Sequence, residues 1–206
     1  MVAAQKKAKK RYSYADYLNW DDDKRYELID GVVYDMNAPL RIHQKYVVEL
    51  VRQMSNFFLE KTCEVYVAPF DVRLPRRSKK DKDIFDVVQP DISIICDQSK
   101  LDDKGCIGAP DLVVEVISPS TAGKDQVKKR ALYESNGVRE FWLLHPDDRL
   151  VFVYLLGKDG YGKPAVYDET MTIKSAIFPE LSIDLAGLFP PREEKVEEPT
   201  AEYHRL

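Results

Sequence analysis

The sequence predicts an α/β fold: a mixed, mainly antiparallel β-sheet flanked by a few α-helices. Three observations predict it. Short apolar segments of strand character recur along the chain, from YELI through ISII, LVVEV and EFWLL to LVFVYLL. One longer segment, His43 to Leu59, instead repeats its apolar residues at steps of three and four. Turn-forming residues punctuate the runs, at Asp30-Gly31, Asn136-Gly137 and Pro146-Asp147-Asp148. At 206 residues, 44% hydrophobic and 32% charged, the chain is sized for one well-buried domain.

Residues 1–10 are polar and charged without periodicity and read as a disordered basic N-terminus; residues 11–190 form the single domain. Ser13 to Trp20 begins a short helix, with Ser13 as its cap and Asp16 at the third helical position. RYELIDGVVYDM is a hairpin turning at Asp30-Gly31. The His43–Leu59 helix gathers Tyr46, Val47, Leu50, Val51, Met54, Phe57 and Phe58 on one face, opposite Glu49, Arg52 and Gln53. CEVYVAPFDVRLP and VVQPDISIICD are β-rich, and RRSKKDKDIFD between them reads as a loop too charged to be buried. Gln98 to Ala109 is a polar connection with two glycines. PDLVVEVISP is a buried strand that Pro119 helps to stop. Lys124 to Ser135 reads as helix, ended by Gly137. REFWLLHP, RLVFVYLLG, KPAVYDE and TIKSAIF are extended, Leu185 to Phe189 is a short turn, and residues 191–206 form an acidic flexible tail.

Composition excludes several classes. No apolar run approaches the roughly 18 residues that cross a bilayer, so no membrane partner is expected. No secretory leader is evident, and a cytoplasmic location follows. Cys63, Cys96 and Cys106 are odd in number and irregularly spaced, which predicts neither a disulfide framework nor a zinc site. Cys63 and Cys96 read as small buried apolar residues. A formal net charge of −4 argues against a protein gripping nucleic acid over its whole surface. A local basic groove stays compatible with it, since positive charge clusters at Lys6 to Arg11, Arg76 to Lys82 and Lys124 to Arg130.

The chemistry concentrates between Pro90 and Trp142. If PDISIIC and DLVVEVI are antiparallel neighbours, Asp91 starts one strand and Glu115 nears the end of the other, so both carboxylates reach one edge of the sheet. Glu115 then shares its face with Val113 and Ile117. An anion inside an apolar strand is costly without a partner. A divalent cation would supply one, and so would a salt bridge to Lys129 or Arg130. On the following helix Asp125, Lys129 and Tyr133 fall on one stripe. Periodicity does not choose among Lys124, Lys128 and Lys129 as a catalytic cation. Acids on adjacent strands with a lysine nearby are the constellation that metal-dependent phosphodiester hydrolysis requires. Neither a Ser-His-Asp ordering, a phosphate-binding glycine loop nor HExxH is present.

The segments YELIDGVVYDM, QPDISIICD, GAPDLVVEVISPST, DQVKKRALYESNGVREFWLLHP and RLVFVY, with His43, resemble the Uma-two family of restriction-endonuclease-like proteins. That family is similar to the PD-(D/E)XK nuclease superfamily, and the likeness spans roughly Tyr12 to Phe189. It implies a restriction-endonuclease-like sheet and matches Asp91 to the PD aspartate and Glu115 to the acidic position. Ile117 stands where the superfamily lysine belongs. In the family pattern that lysine lies on the next helix, four residues before a tyrosine, which selects Lys129 before Tyr133. The resemblance makes Glu27 a further metal or water ligand and His43 a phosphate contact or proton carrier. On residue type alone, Glu27 is a plain hairpin surface residue and His43 is structural. The implied activity is a Mg²⁺-dependent endonuclease acting on DNA, with Mn²⁺ as a possible substitute. Asp91, Glu115 and the Val116 carbonyl would hold the metal, assisted by Lys129. The displaced lysine and acidic charge favour the alternative, a non-catalytic nuclease-fold module binding nucleic acid or protein. A homodimer would suit the cutting of both strands of a duplex.

Overall fold

A computed structural model of the protein describes residues 10–22, 24–118 and 123–189, with residues 124–126 described in their backbone only. The expectations for residues 1–9, for Pro119, for the tail and for the Asp125 side chain lie outside the described residues.

A short helix α1 (Tyr14–Tyr17) opens the fold, held by the expected capping box: Asp16 N–H donates to Ser13 Oγ, and Ser13 N–H donates to Asp16 Oδ2. The hairpin follows as β1 (Tyr26–Ile29) and β2 (Val32–Asp35), with positive φ at both Asp30 and Gly31. Helix α2 (Arg41–Phe58) is the long amphipathic segment. Next come β3 (Glu64–Val67), β4 (Asp71–Arg73), β5 (Val87–Val88), β6 (Ile92–Ile95), β7 (Leu101–Asp102), β8 (Gly105–Ile107) and β9 (Leu112–Val116). A π-helical turn (Lys124–Lys129) leads into α3 (Arg130–Asn136), which ends on Gly137 in the left-handed conformation. Strands β10 (Glu140–His145), β11 (Leu150–Gly157), β12 (Gly160–Tyr161), β13 (Ala165–Asp168), β14 (Thr172–Lys174) and β15 (Ser182–Asp184) complete the chain.

The strands form two main sheets and a ribbon rather than one sheet. The first has the order β2-β1-β5-β4-β8-β7; the second runs β12-β11-β10-β9-β6-β3 with β13 beside β11; β14 and β15 pair alone. Pairing is antiparallel except for β4 with β8 and β9 with β10. Alternation along the second sheet feeds two cores. Ile92, Ile94, Val114, Val116, Trp142 and Leu144 pack toward α2 and the C-terminal segment. Ile95, Val113, Ile117, Phe141 and Leu143 pack toward α3 and the first sheet, among Leu132, Tyr133, Val72 and Val88.

Prolines mark where the chain crosses between sheets. Pro69 lies between β3 and β4, Pro90 between β5 and β6, and Pro110 between β8 and β9, each joining strands of different sheets. Proline has no N–H to give a ladder, so it is tolerated where pairing changes hands.

Four expectations are corrected. Cys63 and Cys96 are joined in a disulfide across the β3–β6 pair; an odd count hid it, because Cys106 alone is the free, buried thiol. The charged 76–86 segment is not all surface: Ile84 and Asp86 are fully buried, with Asp86 accepting from Asp30 N–H at 2.6 Å and from Arg76 Nε at 2.8 Å. The glycine-bearing 98–109 connection contains the β7–β8 hairpin. There Gly105 (φ +128°) approaches β4 so closely that a Cβ would meet Asp71 O at 2.3 Å. Lys124 to Ser135 is not uniform helix but a π-helical turn followed by α3.

Candidate active site

Strand β6 pairs with β9 antiparallel, Ile92 facing Val114, so one step further Asp91 lies opposite Glu115. The aspartates of Pro90-Asp91 and Pro110-Asp111 each close one end of this ladder. Val116 N–H donates to Asp91 Oδ2 at 2.7 Å, and Cys96 N–H donates to Asp111 Oδ2 at 2.8 Å. The two ends then diverge. Asp111 is claimed by Arg139 at 2.6 Å and is structural, whereas Asp91 lines a cleft of about 840 Å³ with Glu115, Lys129, Glu27 and His43.

Glu115 projects to the face of Val113 and Ile117, as alternation requires, and meets α3. Its Oε1 accepts from Lys129 Nζ at 2.8 Å and from Tyr133 Oη at 2.5 Å. The stripe of Lys129 and Tyr133 thus converges on one oxygen. The same ammonium lies 2.7 Å from Glu27 Oε1, which also accepts Gln89 N–H at 3.0 Å. Glu27 is completely buried, not a hairpin surface residue, because β1 is an inner strand of the first sheet. Its contacts make it an anchor of Lys129. Lys129 itself is only 3% exposed.

His43, in the first turn of α2, reaches the other side of the site. Its Nε2 lies 3.2 Å from Asp91 Oδ2 and 3.0 Å from the Val116 carbonyl oxygen. Gln89 is a residue the sequence reading passed over. Its Nε2 donates to Asp71 Oδ1 at 2.8 Å, and Tyr14 Oη donates to Asp71 Oδ2 at 2.8 Å. That relay fixes Gln89 behind Glu27. Its place beside the Pro-Asp pair was the signal available.

The oxygens at this rim suit a hard cation. Asp91, Glu115 and the Val116 carbonyl are the donor types Mg²⁺ takes, and Mg²⁺ commonly uses only one or two carboxylates while keeping several waters. Among the described residues no three His, Cys, Asp or Glu side chains converge as a ready-made cage. A site of two carboxylates and a carbonyl would leave the remaining positions to water and substrate. Glu27 and Glu115 both contact the Lys129 ammonium, two formal negative charges on one cation, and Asp91 lines the same cleft. A buried excess of carboxylate favours an added cation.

Fold and site together define a nuclease-like α/β protein with paired carboxylates and a lysine at one sheet rim. Residues 14–186 match the Uma2 family, described as putative restriction endonucleases, and the chain belongs to that family. It is 29% identical over 136 residues to an uncharacterized protein of Synechocystis sp., covering 65% of this chain and 68% of that one. In fold it is similar to the crystal structure of a putative nuclease of the DUF820 group from Anabaena variabilis. The two superpose with a TM-score of 0.67 at 20% identity, over 86% of this chain and 97% of the other. Among the described residues no helix is long and apolar enough to cross a membrane.

Proposed function

We propose that this protein is a Mg²⁺-dependent endonuclease that hydrolyses DNA phosphodiester bonds, with Mn²⁺ able to substitute. The observation that carries the reading is the meeting of Asp91, Glu115 and Lys129 at one end of the β6–β9 ladder, on the wall of an open cleft. Asp91, Glu115 and the Val116 carbonyl are the residues that would hold the ion. When bound, Mg²⁺ supplies Lewis-acid polarisation of the phosphate and lowers the pKa of water. Lys129, fixed between Glu27 and Glu115, stabilises negative charge on the pentavalent phosphate or helps deprotonate the attacking water. Tyr133 orients Glu115. His43, beside Asp91 and Val116, is placed to contact phosphate or carry a proton.

One observation favours a second reading. Lys129 and Tyr133 already satisfy Glu115 Oε1, as in a nuclease fold kept for binding nucleic acid or protein without catalysis. Calorimetric titration of Mg²⁺ and Mn²⁺ into the wild type, Asp91→Ala and Glu115→Ala separates the two. The same proteins are incubated with supercoiled plasmid and with linear single- and double-stranded DNA. The nuclease reading expects metal binding and cleavage that vanish together in both variants. A folded wild type that binds neither metal overturns it.

A further inference from the structure

The cleft continues past Asp91. A second cavity of about 380 Å³ shares Gln44, Ala68 and Asp91 with the first and runs on between α2 and the edge strand β3, past Val48, Val51 and Val67. Along α2, Leu40, Gln44, Val48 and Arg52 recur every four residues and form a stripe separate from the core-facing Tyr46, Leu50 and Met54. Leu40 is 62% exposed, Val48 64%, and Val67 across the groove 42%. Apolar surface is thus left uncovered on both sides of the carboxylate rim. Cations line both cavities. Arg25 lines the first cavity, and Arg52, paired with Glu49, lines the second.

We infer that this groove is a track for a single, unpaired strand of DNA, which passes through the site and is cut internally. The inference rests on the nuclease reading above and names its substrate class. A duplex carries a phosphate charge about every 1.7 Å of its axis and calls for basic walls. Here the cleft wall combines an apolar part, Met36, Ala38, Pro39, Leu40, Ala68 and Pro69, with polar and acidic residues, and Arg25 and Lys129 are its only Lys or Arg among the described residues. A single strand offers base faces to such surfaces and needs cations only along its backbone. Depth points the same way. Lys129 and Glu115 are almost fully buried, and a flexible strand can bend a phosphate down to them where a stiff duplex cannot. Because the groove continues on both sides of Asp91, no strand end is required.

The test uses a fluorescein-labelled oligodeoxynucleotide of about a dozen nucleotides, a typical span for such a groove. Anisotropy in Ca²⁺ compares it with the duplex of the same sequence. Circular single-stranded DNA with Mg²⁺ or Mn²⁺ then asks for internal cutting. The single strand should bind at least about tenfold tighter than the duplex, and Val48→Asp should weaken it by about tenfold, the scale of one base contact. Since Val48 is exposed, the melting temperature of that variant should stay at the wild-type value. Equal or tighter duplex binding overturns the inference, and so does a Val48→Asp variant that binds the strand unchanged. Trimming of linear strands with circles left intact overturns the through-track. If no DNA is cut at all, the nuclease reading fails, and the anisotropy comparison alone decides whether the groove holds a strand.

Discussion

Lys129 holds two buried carboxylates at once, Glu27 at 2.7 Å and Glu115 at 2.8 Å, and is the cation bonded to both. Replacing it with methionine keeps its length but leaves both buried acids facing each other with no cation between them. Breaking a buried pair from one side costs about 3–5 kcal/mol, and urea unfolding of Lys129→Met should lose a stability of that order. Adding Glu27→Gln should restore part of the loss by removing one unopposed charge. A double variant no more stable than the single would mean the three groups do not share their charge. Residue patterning alone singles out Glu115 of this triad but not Glu27. Glu115 stands out because alternation puts an acid on an apolar face. Glu27 does not, since its partner comes from a distant helix and no spacing rule joins them. Nor does an acid in an apolar strand identify itself as functional. Glu140 on β10 is equally buried, yet it accepts from Trp142 Nε1, Ser175 Oγ and the N–H groups of Ala176 and Ile177, fastening the C-terminal segment.

Elements with strong periodicity or a matching turn were legible: the Asp30-Gly31 hairpin, α2, and the antiparallel β6–β9 pair that carries the site. Strands β7 and β8 were not, because two or three residues cannot display an alternation, and their pairing is set by long-range packing. The π-helical turn before α3 also left no pattern. It ends on Lys129, which with Tyr133 of α3 meets a common oxygen of Glu115, and such widened turns recur at functional sites. Two variants test what holds these elements. Gly105→Ala places a methyl against the Asp71 carbonyl at a positive φ, and should cost at least about 2 kcal/mol by thermal melting. Reducing the Cys63–Cys96 bridge, which spans 33 residues, should lower stability by up to about 4 kcal/mol. The bridge sits at the Cys96 end of β6, opposite the Asp91 end, so calorimetric Mg²⁺ affinity of the reduced protein should match that of the oxidised protein. A loss of affinity with retained fold would show that the bridge sets the carboxylate geometry.

The whole molecule is two sheets sharing a core, with the candidate site where both sheets, α2 and α3 meet. The class was legible from strand-like runs around a motif-bearing pair. The division into two sheets was not, since proline crossovers look like ordinary turns in sequence. This packing also shapes the response to acid. Burial near the end of β10 holds the His145 pKa below its ordinary value, and Asp148, 3.6 Å away, only partly opposes that. In the window between the lowered folded value and the unfolded value near 6.5, the unfolded chain binds more protons. Stability therefore falls as pH drops through that window. The carboxyls of Asp16, Asp97, Asp102 and Asp168 lie below their ordinary values. Hydrogen bonds from Ser13, Ser99 and Thr170 lower Asp16, Asp97 and Asp168; at Asp102 burial pushes upward, but hydrogen bonds from the Arg73 side chain and the Lys104 N–H outweigh it. Their stabilisation persists to lower pH and is lost as pH falls through about 4. Melting temperatures across this range should therefore decline in two stages. In His145→Phe, which keeps a ring against Phe152, the upper stage should shrink while the lower one stays. An unchanged upper stage would move its origin away from the β10–β11 turn.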